Sequence, residues 1–179
     1  QVAGLRPQQS KRGNQLAISI DGFYQEYFAQ LPAELQQEVR QANDSALFEG
    51  VQYHRYRDEH LILDRLELPQ WFESNPWLEN ADSRGLLDVS IASKGNQILA
   101  IATGYRFNDV SVTGIHFQAM PGPASLALRQ LVGQRLIQDS FARRDKKLYI
   151  DDSLDSRWCN RRESRSFWEI RRGLSMQLA

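Results

Sequence analysis

Three apolar runs in quick succession, 86–93, 98–107 and 110–119, constrain this chain more than any other feature. Leu87, Val89 and Ile91 alternate with small or polar residues, the period of a half-buried strand. Lys94-Gly95-Asn96 has the chemistry of a hairpin turn, and Asn108-Asp109 supplies a second turn. Strands joined by turns this short can only pair antiparallel, so the three runs form a meander. Met120-Pro121-Gly122-Pro123 ends the sheet, and Ser125 is placed to cap a helix. Leu128, Leu131, Val132, Leu136 and Ile137 then recur at helical spacing. Leu148-Tyr149-Ile150 reads as a short buried strand, and a last helix is expected from about Glu163.

The first half of the chain adds elements of the same kind. Residues 16–20 alternate as a short strand ending at Asp21-Gly22. Residues 23–30 and 33–42 read as helices, with Leu31, Leu35, Val39 and Ala42 facing the core. Residues 51–57 and 61–68 look like two strands joined at Asp58-Glu59. Trp71, Phe72 and Trp77 cluster around Pro76 and serve either as a ligand platform or as a core plug. Residues 1–14 lack periodicity and read as a flexible arm or linker. Residues 15–179 therefore read as one α+β domain, a mainly antiparallel sheet with a three-stranded meander and helices packed on it. Because the chain begins at Gln1 rather than Met, it is expected to be a fragment, a processed product or one domain of a longer protein.

Composition and motifs remove several function classes. No apolar run reaches the ~18 residues of a membrane span, and no apolar stretch follows a basic start as in a secretory leader. The single cysteine, Cys159, excludes an internal disulfide framework and points to a reducing, cytoplasmic setting. His54, His60 and His116 do not pair at metal-ligand spacing, so no metal ligands are assigned. Asp151, Asp152 and Asp155 follow a strand end, where carboxylates hold Mg²⁺ or simply pair with Arg157, Arg161 and Arg162. No nucleophile elbow and no phosphate-binding glycine loop is present.

Leu131-Val132-Gly133-Gln134-Arg135-Leu136-Ile137 resembles the start of the main helix of the GNAT (GCN5-related N-acetyltransferase) superfamily, just after its pyrophosphate-binding turn. Lys147-Leu148-Tyr149-Ile150-Asp151 is similar to the strand that follows. Asn160, Ser164-Arg165-Ser166-Phe167-Trp168-Glu169 and Gly173-Leu174 resemble its closing segment, so the likeness spans residues 86–175. It implies an N-acyltransferase that takes acetyl-CoA or another acyl-CoA. Gln130, Leu131, Val132 and Gly133 would then form the pyrophosphate turn, with Arg135 beside it. His116, near the end of a splayed strand, would be the general base for an amine. The turn normally carries two or three glycines, whereas Gly133 stands alone here. The usual Tyr acid is matched by Trp168, which has no hydroxyl to donate.

Charge supports a different class. Residues 1–128 carry 10 basic and 15 acidic side chains, and residues 129–179 carry 12 and 7. A surface containing Arg143, Arg144, Arg161, Arg162 and Arg165 would suit a nucleic-acid or protein partner, with Trp158 and Trp168 available to stack. The two classes remaining are an acyltransferase and a non-catalytic binding domain of a larger protein.

Overall fold

A computed structural model of the chain describes residues 15–45, 48–107 and 111–163. Its strands are β1 (Gln15–Ser19), β2 (Gln52–Tyr56), β3 (Leu87–Lys94), β4 (Gln97–Phe107), β5 (Ser111–Ala119), β6 (Lys147–Ile150) and β7 (Arg161–Glu163). Its helices are α1 (Tyr24–Ala29), α2 (Ala33–Asp44), α3 (Pro76–Ser83) and α4 (Ser125–Ala142). The strands form one sheet in the order β2-β3-β4-β5-β6-β1-β7. Every pairing is antiparallel except β5–β6. This is the expected α+β architecture, with the meander at β3–β5. The 1–14 arm, the Asn108-Asp109 turn and the closing segment with Arg165 and Trp168 lie outside the described residues.

The sheet is covered on both faces. On one, Ala100, Ala102, Val112, Ile115, Phe117, Leu148 and Ile150 pack against α2 and α4 through Leu35, Val39, Leu128, Val132 and Leu136. On the other, Leu87, Val89, Ile91 and Ile101 pack against Leu78 and Ala81 of α3. Trp71, Phe72 and Trp77 border this second cluster, so the aromatic group plugs a core. Burying one aliphatic side chain contributes about 1.5–3 kcal/mol, and both faces contribute such residues. Among the described residues no helix is long and apolar enough to cross a membrane.

Two local expectations are corrected. Residues 61–68 are not a strand: the Leu61 backbone is left-handed (φ 55°), and Leu63–Arg65 is a 3₁₀ turn. The Asp82 carboxylate accepts from the N–H groups of Ile62 (2.7 Å) and Leu63 (2.9 Å), so these donors enter no ladder. Ser125 is the first residue of α4, not its cap; Ala124 holds that position without a side-chain bond. Arg161–Glu163 pairs with β1 as a strand, Gln15 opposite Glu163, and the helix expected from about Glu163 lies outside the described residues.

Candidate functional site

The site begins with an irregularity in β5. Across β4, Thr103 faces His116 and Tyr105 faces Thr113, so three steps on β5 match two on β4. Across β6, Val112 faces Leu148 and Ile115 faces Ile150, the same excess. One extra residue is therefore accommodated in β5, at Gly114, whose φ of 62° glycine adopts without penalty. The bulge reverses the side-chain phase. Val112 points into the α4 core, and so do Ile115 and Phe117 rather than residues 114 and 116. His116 is left on the opposite face, with its side chain 49% exposed.

Beside the bulge the two parallel strands part. The Asp151 N–H still donates to the Ile115 carbonyl at 3.0 Å. The Phe117 N–H, one step on, finds the Ser153 hydroxyl at 2.6 Å instead of a β6 carbonyl. Asp151 occupies the fork. Its Oδ2 lies 2.5 Å from His116 Nδ1, and its Oδ1 accepts from the Ser153 N–H at 2.8 Å and from the Ser153 hydroxyl. With Nδ1 donating to a carboxylate, Nε2 is the ring nitrogen open to solvent and able to accept a proton. The bond to Asp151 raises the His116 pKa against the opposing effect of burial, and the charges of Asp151 and Glu73 add to the rise. Burial pushes Asp151 upward, but the bonds from His116 and Ser153 outweigh it and hold its carboxyl below the usual range.

Two clefts flank the amino end of α4. One, of about 440 Å³, is lined by Arg129, Ile150, Asp151, Asp152, Leu154 and Asp155. The other, of about 500 Å³, includes Glu38, Ala42, Leu126, Ala127 and Arg129. Arg129 borders both; its Nε is buried and lacks a hydrogen-bond partner, and its Nη2 lies 3.8 Å from Asp155.

The residues expected to form a pyrophosphate turn lie elsewhere. Gln130, Leu131, Val132 and Gly133 are buried inside α4, where the helix ladder uses their N–H groups. Gln130 donates to Asp155 (2.8 Å) and Glu38 (3.0 Å) and accepts from Trp158 Nε1 (3.3 Å). At Gly133 an added Cβ would stand 3.3 Å from Trp158 Nε1, so the glycine makes room for a buried indole. Arg135 is exposed and reaches Asn43 at 3.4 Å. The helix starts five residues earlier than Gln130 because the Pro-Gly-Pro segment delivers the chain at residue 124.

Among the described residues, the arginines crowded in sequence sit on several elements. Arg157 is bonded to Glu38 and Asp155, and Arg143 to Asp139 at the carboxyl end of α4. Arg144 is exposed at that end, while Arg161 and Arg162 belong to β7. Asp155 is saturated by Arg157 and Gln130, and among the described residues no three His, Cys, Asp or Glu side chains converge as metal ligands. Ser153 and Arg129 were not singled out as site residues by sequence, and Asp151 was read as a Mg²⁺ ligand or an arginine partner rather than as the partner of His116. The available signal was an Asp ending the strand after a crossover helix, which parallel pairing sets beside the end of β5.

No family model and no curated protein matches the sequence. Solved structures are similar to it. The C-terminal domain (DUF2156) of a candidate lysylphosphatidylglycerol synthetase from Agrobacterium fabrum matches with a TM-score of 0.50 and 13% identity, over 78% of this chain and 48% of that one. A GCN5-related N-acetyltransferase-like protein from Streptococcus suis matches at 0.48 and 15% identity, over 77% and 50%. L-PGS from Bacillus licheniformis matches at 0.48 and 12%, over 81% and 48%. The chain spans about half the length of each of these structures. At such identities the likeness is one of fold.

Proposed function

We propose that this domain transfers an acyl group from a thioester, acetyl-CoA or another acyl-CoA, to an amine, with His116 as general base. The observation that carries the reading is the His116–Asp151 pair, 2.5 Å apart where the parallel strands β5 and β6 separate. An amine attacks a carbonyl only as the free base, and its nitrogen sheds a proton as the new C–N bond forms. His116 Nε2 accepts that proton. Asp151 holds the ring by Nδ1 and stabilises the imidazolium that results, and Ser153 fixes Asp151. The coenzyme would supply an activated acyl group whose C–S bond breaks as the thiol departs. Arg129, with its unpartnered buried Nε, and the amino end of α4 suit its phosphates.

The test is a thermal-shift titration with acetyl-CoA, followed by thiol release in the presence of a primary amine. At a hundredfold excess over Kd, binding adds ~2.7 kcal/mol, a rise of ~5–11 °C for a domain of this size. Arg129→Ala should lose most of that rise. His116→Ala should keep it and lose thiol release. No saturable shift with acetyl-CoA would sink the reading.

A further inference from the structure

The sheet face that carries His116 holds a second carboxylate beside the dyad, fixed there by an uncommon device. Gln118 follows His116 by two residues, so the two side chains leave β5 on the same side, about 7 Å apart. The Gln118 amide makes two bonds to a single residue 45 positions away: Oε1 accepts from the Glu73 N–H at 2.7 Å, and Nε2 donates to the Glu73 carbonyl at 3.1 Å. One side chain thus takes both backbone groups of a loop residue, as a neighbouring strand would. The loop is anchored on either side of this clamp. Trp71 and Phe72 pack against the cluster beneath α3, and Asn75 caps α3 by accepting from the Leu78 N–H at 3.0 Å. Glu73 therefore has a fixed backbone, while its side chain is exposed and makes no salt bridge among the described residues.

This arrangement sets two carboxylates around one imidazole. Asp151 takes Nδ1 from the fork of the strands. Glu73 stands on the open side, and its charge also favours the protonated ring. A negative charge there has a use if the incoming group is positive. Amines reach an active site at neutral pH as ammonium ions, and the ion must be held before it is deprotonated.

We propose that Glu73, positioned by Gln118, is the specificity-determining residue that receives the acceptor as a primary ammonium ion and presents it to His116. This rests on the acyl-transfer reading and adds to it the charge state of the acceptor and the residue that selects it.

The test needs no acyl donor. The His116 ring resonances are followed by NMR while n-butylammonium chloride is added at constant ionic strength, with n-butanol as the neutral isostere. Each variant is titrated at the pH that gives equal imidazole protonation. The wild type should show a saturable shift with the ammonium and none with the alcohol. Glu73→Gln should weaken the apparent Kd at least tenfold, Glu73→Asp should recover part of the loss, and Gln118→Ala should weaken it severalfold. Equal affinity in the wild type and Glu73→Gln, an equal response to n-butanol, or no saturable response would overturn the proposal. Failure of acyl transfer itself would appear only in coenzyme binding and thiol release, and would leave the ammonium titration unchanged.

Discussion

Asp88→Asn should destabilise the domain by about 3 kcal/mol, and Arg55→Met by more, because the two changes alter the charge balance of one buried cluster differently. Asp88 sits on β3 with its side chain 2% exposed. Its Oδ1 accepts from Arg55 Nε (2.8 Å), and its Oδ2 accepts from Arg55 Nη2 (3.1 Å) and Arg57 Nε (2.7 Å). The same guanidinium of Arg55 reaches Asp139 (3.0 Å), Ser140 (2.8 Å) and the Leu136 carbonyl (3.2 Å) near the end of α4. Arg57 makes a two-bond pair with Asp145 at 2.8 and 2.7 Å. With Arg143 on Asp139 at 2.7 Å, three cations face three carboxylates. Asp88→Asn leaves three facing two: the cluster loses the charge of its central acceptor and gains an amide that points donors at donors. Breaking one partner out of a buried pair costs ~3–5 kcal/mol, and the amide oxygen that remains as an acceptor sets the loss near the lower end. Arg55→Met leaves two cations for three carboxylates and also takes the donor from Ser140 and the Leu136 carbonyl, which sets the loss at the upper end. Urea denaturation at pH 7 with an m value of ~2 kcal/mol/M should show the Asp88→Asn midpoint ~1.5 M lower. Its Tm should fall ~6–12 °C. Lowering the pH should narrow the Arg55→Met deficit as a surplus carboxylate takes up a proton. An Asp88→Asn variant within 1 kcal/mol of wild type, or an Arg55→Met variant milder than it, would refute the charge counting.

The remaining expectations concern the fork of β5 and β6. Because the His116 pKa is raised, the acid limb of kcat/KM should lie above the ordinary histidine value of ~6.5, and Asp151→Asn should move it to lower pH. An unmoved limb in that variant counts against the dyad. For stability the signs differ: the His116 contribution is complete below ~6.5 and fades as pH rises through its raised pKa. That of Asp151 is complete above ~3.9 and fades as pH falls through its lowered pKa, so the pair stabilises most between these limits. Ser153→Ala should strip the Phe117 amide of its acceptor at a cost of ~1–2 kcal/mol, and hydrogen exchange at that amide should accelerate well beyond its neighbours. Gly104→Ala would put a Cβ 2.7 Å from Val112 Cγ1 and 3.0 Å from Ile115 Cγ1, costing ~1–3 kcal/mol in urea unfolding. Thiol release should fall with it, because the residues displaced flank the bulge.

The elements that were legible in sequence are those whose cause is local. The meander announced itself through alternation and two turns, and α4 through a stripe of five apolar residues. Residues 61–68 failed because their backbone donors are claimed by Asp82, some twenty positions away, which no local pattern reveals. Residues 130–133 were assigned to a turn by likeness to a family segment, while the Pro-Gly-Pro segment that sets the true helix start was taken only as the end of the sheet. Arginines adjacent in sequence find partners at Glu38, Asn43, Asp139 and Asp155, residues distant along the chain, so their pairing could not be read beforehand.

His116 was legible as a candidate base, but its pairing with Asp151 was not, and the difference lies in one inserted residue. Strict alternation from Val112 would carry residue 116 into the α4 core, where an imidazole would lose its solvent-facing nitrogen. The extra residue at Gly114 exchanges that outcome for Ile115 and Phe117 inside and His116 and Gln118 outside. The apolar residues of the strand record this phase change, since 112 is even while 115 and 117 are odd. The same displacement brings His116 level with the point where β6 ends and Asp151 turns away, so bulge and fork act as one device. It follows that the least regular step of the sheet is the one that selects which side chains meet there. A variant that removes the extra residue therefore keeps the phase: with Gly114 deleted, Thr113 and His116 lie two steps apart on β5, matching Tyr105 and Thr103 on β4, so Ile115 and Phe117 stay inside and His116 stays outside. Deleting Gly114 should retain the pairing with Asp151 and the raised His116 pKa, and loss of that raised pKa in an otherwise folded protein would refute the reading of Gly114 as the one extra residue.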